Sequence, residues 1–151
     1  MDKFGSADAV LDFAIKEEEG AYDFYLDLSE KVEKAWMKTV FRDFAQEELG
    51  HKKKLLEIKA GKALAPVKDK VMDLNLSDYL VDAEVVPNMD FQSALILAMK
   101  KEKSAFRLYT NLAAAMQEPG LKNIFLMLAQ EEAKHKLRFE IEYDDFVFQE
   151  N

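Results

Sequence analysis

Cysteine is absent from this chain of 151 residues, which excludes disulfides, zinc–cysteine sites, iron–sulfur clusters and cysteine nucleophiles. Glycine and proline are scarce, at five and three residues, and the alternation of β-branched and polar residues that is typical of strands is missing. No apolar stretch approaches the ~20 residues of a membrane-spanning helix, and the first residues are too polar for a signal peptide. We therefore expect a soluble, cytoplasmic protein with no membrane partner.

Basic charge is also in short supply. Lysine and arginine number 21 against 29 acidic residues, which gives a net charge of −8. Because nucleic-acid binding needs a basic face, we expect no nucleic-acid partner. Hydrophobic residues make up 49% of the chain, which is enough for one core. The length suits a single domain over residues 1–151.

Four segments repeat apolar residues at steps of three and four, the spacing of one face of an α-helix. Short links pair these segments into two antiparallel hairpins, over about residues 7–61 and 91–146. The connection over about residues 62–90 is long enough to run the length of a bundle, and we expect a short helix within it over residues 75–80. The sequence predicts an all-α four-helix bundle with one long crossover.

The two hairpins repeat one pattern at an offset of 84 residues, without insertions between Leu11 and Lys52. Such a repeat implies a pseudo-twofold axis through the bundle, so that whatever one half places at the centre the other half places opposite. The aligned pairs are Glu18 with Glu102, Ala21 with Ala105, Tyr25 with Tyr109, Phe41 with Phe125, Glu48 with Glu132 and His51 with His135.

Six ionisable residues occupy positions in these apolar faces where leucine or phenylalanine is expected. An ionised carboxylate in a core costs several kcal/mol unless it is paired or bound to a metal, and no lysine or arginine lies in these faces. Two divalent cations would neutralise four carboxylates, and two imidazoles would complete a donor set that suits iron or manganese, with zinc as an alternative. The six residues are Glu18, Glu48, His51, Glu102, Glu132 and His135.

The spacing of these residues predicts how they share the metals. In Glu48 to His51 and in Glu132 to His135, a step of three places both side chains on one side of their helix. Each histidine can then bind one metal while its glutamate bridges the two. Glu18 and Glu102 complete one metal each from the other helices.

The pattern Glu-x-x-Ala-x-x-Phe/Leu-Tyr followed by Glu-Glu-x-x-His, present twice, resembles the rubrerythrin diiron domain of the ferritin-like superfamily. The resemblance covers about residues 7–145 and implies a ferritin-like bundle with two iron ions held by the six residues above. It also implies that Tyr25 and Tyr109 hydrogen-bond to metal-bound carboxylates, although they would also suit core tyrosines with satisfied hydroxyls. Glu47 and Glu131 lie one position off the apolar face, and we expect them on the helix surface.

The resemblance implies reduction of hydrogen peroxide in oxidative-stress defence, with electrons from an external donor such as a rubredoxin-like protein, in a homodimer. Two departures bear on that activity. Typical rubrerythrins carry a further glutamate three residues after the ligand on the third helix, where this chain has Ala105, and a rubredoxin domain, which a chain without cysteine cannot form. Two alternatives therefore stay open: a ferroxidase that uses oxygen, and a metal-binding bundle without redox turnover.

Overall fold

The computed structural model describes residues 7–61 and 84–150, with side chains described as far as residue 146. Four helices make up the fold: α1 (Ala7–Lys31), α2 (Ala35–Gly61), α3 (Phe91–Ala115) and α4 (Pro119–Glu150). Within the described ranges there is no strand, only an isolated bridge between Val32 and Met89. The predicted all-α four-helix bundle is confirmed. The short helix expected over residues 75–80 lies outside the described residues.

The helices pack as two hairpins, α1 with α2 and α3 with α4. The links within the hairpins are only residues 32–34 and 116–118, so the paired helices run antiparallel. The start of the second hairpin lies beside the end of α1, where the Met89 N–H donates to the Lys31 carbonyl at 3.1 Å. α2 ends at Gly61, at the opposite end of the bundle from Met89. None of the described helices is long and apolar enough to cross a membrane.

Local signals set the helix boundaries of the second hairpin. Asn88 has a φ of 59°, a left-handed conformation that asparagine tolerates. Asp90 caps α3 by accepting a hydrogen bond from the Ser93 N–H at 2.7 Å, the usual role of an N-cap aspartate. Pro119 is the first residue of α4, where its missing N–H and fixed φ carry no penalty.

The apolar core falls into two parts at opposite ends of the bundle. One part joins the beginnings of α1 and α4 to the ends of α2 and α3. The other joins the opposite ends of the helices and contains closely packed aromatic rings, with Phe44 and Phe139 4.1 Å apart between ring centroids. Each fully buried leucine or phenylalanine contributes about 1.5–3 kcal/mol. These two apolar parts hold a layer of buried glutamate and histidine between them.

Candidate metal centre

Four glutamate side chains meet in the layer between the two apolar parts, one from each helix. Each occupies a position on the apolar face of its helix, so the packing that buries the face also buries the carboxylate. Glu18, Glu48, Glu102 and Glu132 are all at most 1% exposed. His135 is 2% exposed, whereas the His51 side chain is 14% exposed. The structure therefore brings together all six of the ionisable residues that interrupt the apolar faces.

These six residues form two overlapping groups of four, in each of which one ligand atom per residue lies within 4.8 Å of the others. Glu48 and Glu132 belong to both groups. Each group could therefore hold one metal ion, with the two shared carboxylates between the ions. The first group is Glu18, Glu48, His51 and Glu132, and the second is Glu48, Glu102, Glu132 and His135.

The two histidine rings lie nearly parallel, with centroids 5.9 Å apart and an angle of 10° between their planes. Each ring turns its Nδ1 towards the carboxylates. His51 Nδ1 lies 3.1 Å from Glu48 Oε1, and His135 Nδ1 lies 3.3 Å from Glu132 Oε1. Among the four buried glutamates, the one closest to each Nδ1 is thus the glutamate three residues before that histidine on its own helix.

The atoms of this layer that face one another have no hydrogen-bond partner within the described residues. Buried polar atoms are nearly always hydrogen-bonded, and each one left unsatisfied costs about 1–3 kcal/mol. The unpartnered set contains carboxylate oxygens and imidazole nitrogens, the donors that iron, manganese and zinc accept. The residues present therefore fit metal ions. The atoms are Glu18 Oε1, both oxygens of Glu48, His51 Nδ1, Glu102 Oε1, Glu132 Oε1 and His135 Nδ1.

Protons can replace metal ions in balancing these carboxylates. Burial, followed by repulsion from Glu18 and Glu102, raises the pKa of Glu48 from 4.5 to about 8. Burial and the neighbouring Glu102 carboxylate raise the pKa of Glu132 well above its usual range. Because metal ligands must be deprotonated, a layer that holds such protons releases them when cations bind.

The histidines respond to the same negative charge. Burial lowers the pKa of His51, but the adjoining carboxylates of Glu18 and Glu48 outweigh burial and raise that pKa to about 10. Burial likewise lowers the pKa of His135, and Glu102 beside it raises the net pKa to about 9. Both imidazoles therefore lie in a field that favours a cation.

Two tyrosine hydroxyls orient the unshared carboxylates. Tyr25 donates a hydrogen bond to Glu102 Oε2, and Tyr109 donates one to Glu18 Oε2 at 2.5 Å. Each hydroxyl occupies one oxygen and leaves Oε1 of the same carboxylate unpartnered. The bonds cross between hairpins, since Tyr25 lies on the helix of Glu18 and Tyr109 on the helix of Glu102. Spacing along a single helix does not predict this exchange of partners.

Glu47 lies at the helix surface, as predicted, and it also contacts this cluster. Its side chain is 41% exposed, yet Oε1 lies 2.8 Å from His135 Nε2 and Oε2 accepts from Arg138 at 3.2 Å. Arg138 in turn lies over the Phe44 ring, 4.5 Å from its centroid. A carboxylate on the outer nitrogen fixes the ring and the tautomer of a metal-binding histidine. The sequence signal for this contact was the pair of adjacent glutamates that precedes each histidine. The histidine that Glu47 contacts lies on α4, however, and not on its own helix α2.

The equivalent residue in the second hairpin does not repeat this contact. Glu131 lies 3.3 Å from Lys134 on its own helix, and Gly50 stands at the position equivalent to Lys134. Among the described residues, no carboxylate contacts Nε2 of His51. The two halves therefore place identical residues around the centre but support the two histidines differently.

A narrow opening between α1 and α3 reaches the four carboxylates. Its enclosed space is about 10 Å³, close to what one water molecule needs. Ala21 and Ala105, which are equivalent in the repeat, line it together with Glu17 and Lys101. Burial raises the pKa of Glu17 above its ordinary value of 4.5, and Lys101 offsets only part of that rise. Ala105 thus places a methyl group beside the opening, at the position where the family that the sequence resembles carries a carboxylate.

Comparisons with known proteins agree with this geometry. The family model for rubrerythrin matches residues 9–84 and 93–151, which include both hairpins and all six clustered residues. The solved structure of a hypothetical protein from Pyrococcus furiosus is similar at 26% identity, covering 92% of this chain and 89% of that chain with a TM-score of 0.62. No curated protein matches the chain significantly. With the family match extending over most of its length, this chain belongs to the rubrerythrin family.

Proposed function

We propose that this chain is a diiron carboxylate oxidoreductase that reduces hydrogen peroxide to water with electrons from an external donor protein. The observation that carries the proposal is the pair of overlapping groups that share Glu48 and Glu132, with their unpartnered atoms turned towards one another. Two ions held by shared carboxylates are an arrangement that suits a reaction needing two electrons at one place. Membership of the rubrerythrin family supports iron over manganese or zinc.

The residues divide the work of holding the ions. Glu18 and His51 would hold one ion, Glu102 and His135 the other, and Glu48 and Glu132 both. Bound iron supplies the redox chemistry, in which two electrons and two protons convert one hydrogen peroxide molecule into two water molecules. The tyrosine hydroxyls bond to Oε2 of Glu18 and of Glu102, so Oε1 of each carboxylate would be left to hold an ion. The apolar parts above and below keep bulk water out, which strengthens the electrostatic interactions inside.

The opening beside Ala105 limits what can reach this layer. A space that accommodates about one water molecule excludes organic substrates and favours the smallest oxidants, hydrogen peroxide and oxygen, over larger ones. We expect Ala105→Leu to slow oxidation of the iron-loaded protein by peroxide without changing its metal content, because the larger side chain fills the entry. Ala114→Leu is the matched control, since Ala114 lies on the same helix and is exposed.

The deciding experiment is stopped-flow mixing of anaerobically iron-loaded protein with one equivalent of hydrogen peroxide or of oxygen, followed by near-ultraviolet absorbance of ferric iron. We expect peroxide to oxidise the iron much faster than oxygen does, and water to be the product. Peroxide-driven oxidation no faster than in Glu48→Gln, which lacks a shared carboxylate, would contradict the proposal. Iron that fails to oxidise with either reagent would leave a metal-binding bundle without redox turnover.

A second candidate function is a ferroxidase that oxidises iron with oxygen. The specific observation in its favour is Ala105, because the absence of a further carboxylate leaves a symmetric set of four glutamates and two histidines. The same stopped-flow comparison separates the two functions, since faster oxidation by oxygen than by peroxide would favour the ferroxidase. An Ala105→Glu variant that shifts the preference towards peroxide would link the choice of oxidant to this position.

A further inference from the structure

The outer face of the second hairpin carries a groove of about 340 Å³ between α3 and α4. Its walls combine three cations with an exposed aromatic ring and a single carboxylate. Phe106 is 38% exposed in it, and the carboxylate of Glu140 is paired with Lys136 at 2.5 Å. We refer to it as the α3–α4 groove, and its lining residues are Lys103, Phe106, Arg107, Ala133, Lys136 and Glu140.

The charge of this groove is opposite to that of the chain. The groove residues carry three positive charges and one negative charge, whereas the whole chain has a net charge of −8. A basic patch on an acidic protein attracts an acidic partner and repels further copies of the protein's own acidic surface. An apolar centre with a charged rim is also the usual composition of a protein–protein contact.

The repeat provides an internal comparison for this groove. Shifting its lining residues by 84 positions gives a face on the first hairpin with two acidic residues and one lysine, so the sign of the net charge is reversed. Glu19 and Lys52 form an ion pair there at 2.9 Å. Since the hairpins share their central residues, the basic charge is not a requirement of the fold or of the metal ligands. The equivalent residues are Glu19, Tyr22, Asp23, Leu49, Lys52 and Leu56.

The groove lies directly outside the second group of clustered residues. Lys103, Ala133 and Lys136 each follow one of its members, Glu102, Glu132 and His135, in the sequence. A partner seated in the groove is therefore separated from these residues by the walls of α3 and α4 alone. The apolar surface continues along α4 from Ala133, where Leu137 one turn later is 56% exposed.

We propose that the α3–α4 groove is the docking surface for an acidic one-electron redox protein that reduces the metal centre. This inference rests on the proposed function, because only an oxidoreductase that takes electrons from an external donor needs such a partner. Each peroxide molecule takes two electrons and two protons to give two water molecules. Two molecules of reduced donor are thus oxidised by one electron each for every turnover.

The test measures reduction of ferric, iron-loaded protein by a reduced, acidic rubredoxin at low ionic strength. In Lys103→Glu/Arg107→Glu, we expect the bimolecular rate constant to fall about tenfold or more and its salt dependence to weaken, since reversed charges remove electrostatic steering. The control is Lys16→Glu/Lys53→Glu, which changes the net charge equally at two exposed positions of the first hairpin. We expect the control to stay within about twofold of the original chain, since these charges lie away from the groove.

Two further measurements separate failure of the docking surface from failure of the proposed function. Oxidation of the chemically reduced protein by one equivalent of peroxide needs no donor, so its absence would refute the proposed function itself. If that oxidation proceeds but the donor reduces both double variants at equal rates, the docking inference is wrong. A change of oligomeric state in Lys103→Glu/Arg107→Glu, measured by light scattering, would also overturn it by assigning the groove to a second copy of the chain.

Discussion

Around His135, the carboxylate of Glu47 and the guanidinium of Arg138 form a chain of contacts that leads outwards from the centre to the protein surface. Around His51, the equivalent carboxylate pairs with a lysine on its own helix, and the imidazole is more exposed. The glutamates, histidines and tyrosines that meet at the centre are nevertheless the same in both hairpins. The comparison shows that the repeat keeps the residues at the centre the same in both hairpins. The residues one layer further out differ in their contacts, and they make the surroundings of the two histidines unequal.

The largest effect should come from comparing a shared carboxylate with an unshared one. Glu48 belongs to both groups, whereas Glu18 belongs only to the group of His51. We expect Glu48→Gln to lose most of both metal ions, because both groups lose a carboxylate, and Glu18→Gln to lose mainly one. Glutamine removes the charge of the side chain but keeps its shape. Metal content after dialysis, measured by mass spectrometry, checks this.

Glu57→Gln on the exposed side of α2 is the matched control for that comparison and should keep both ions. Equal losses in Glu48→Gln and Glu18→Gln would show that no carboxylate is shared. Full metal content in both variants would refute the ligand assignment altogether.

The stability of the metal-free protein should depend on pH through both hairpins to a similar extent. The pKa values of Glu48, His51 and His135 are about 8, 10 and 9 in the folded chain, all above their ordinary values of 4.5 and 6.5. The folded chain therefore binds protons more tightly than the unfolded chain. The resulting stability is fully present below the ordinary pKa values and is lost as the pH rises through the folded ones.

We accordingly expect the thermal midpoint of the metal-free protein to decrease as the pH rises from about 5 to about 9. His51→Gln and His135→Gln should each flatten the upper part of this decline to a similar extent. Calorimetry across the interval in the presence of a chelator makes the measurement. A midpoint that increases with pH over the same interval would contradict the argument.

The smallest effect should come from comparing Glu47 with Glu131, the equivalent glutamates just off the apolar faces. This comparison tests most specifically whether the two histidines are supported differently. Glu47→Gln should weaken binding of one metal ion by about 10–100-fold, the usual range for a residue that orients a histidine ligand. Glu131→Gln should leave both affinities nearly unchanged, since Glu131 contacts Lys134 instead. Titration with cobalt(II) against a competing chelator resolves the two binding steps, and equal affinities in the two variants would argue against the asymmetry.

Much of the architecture could be predicted from the sequence because a helix that buries one face has apolar residues at regular steps of three and four. The four helices and the convergence of Glu18, Glu48, Glu102 and Glu132 follow from that periodicity together with the repeat. Contacts between helices produce no comparable pattern in the sequence. For this reason the sequence did not reveal that Tyr25 reaches across to Glu102, or that Glu47 turns towards α4. Both depend on which neighbouring helix a side chain meets.

The crossed tyrosine bonds have a consequence for the ancestry of the molecule. Because Tyr25 serves Glu102 and Tyr109 serves Glu18, a single hairpin holds neither a complete ligand set nor the hydroxyl its own carboxylate needs. Two copies of one hairpin would have both, so an ancestral gene encoding half of this chain could have worked as a symmetric pair. Such a pair could not have Glu47 at one histidine and leave the other without it. A single chain that carries both halves is free of this constraint, because each half has its own residues around its histidine.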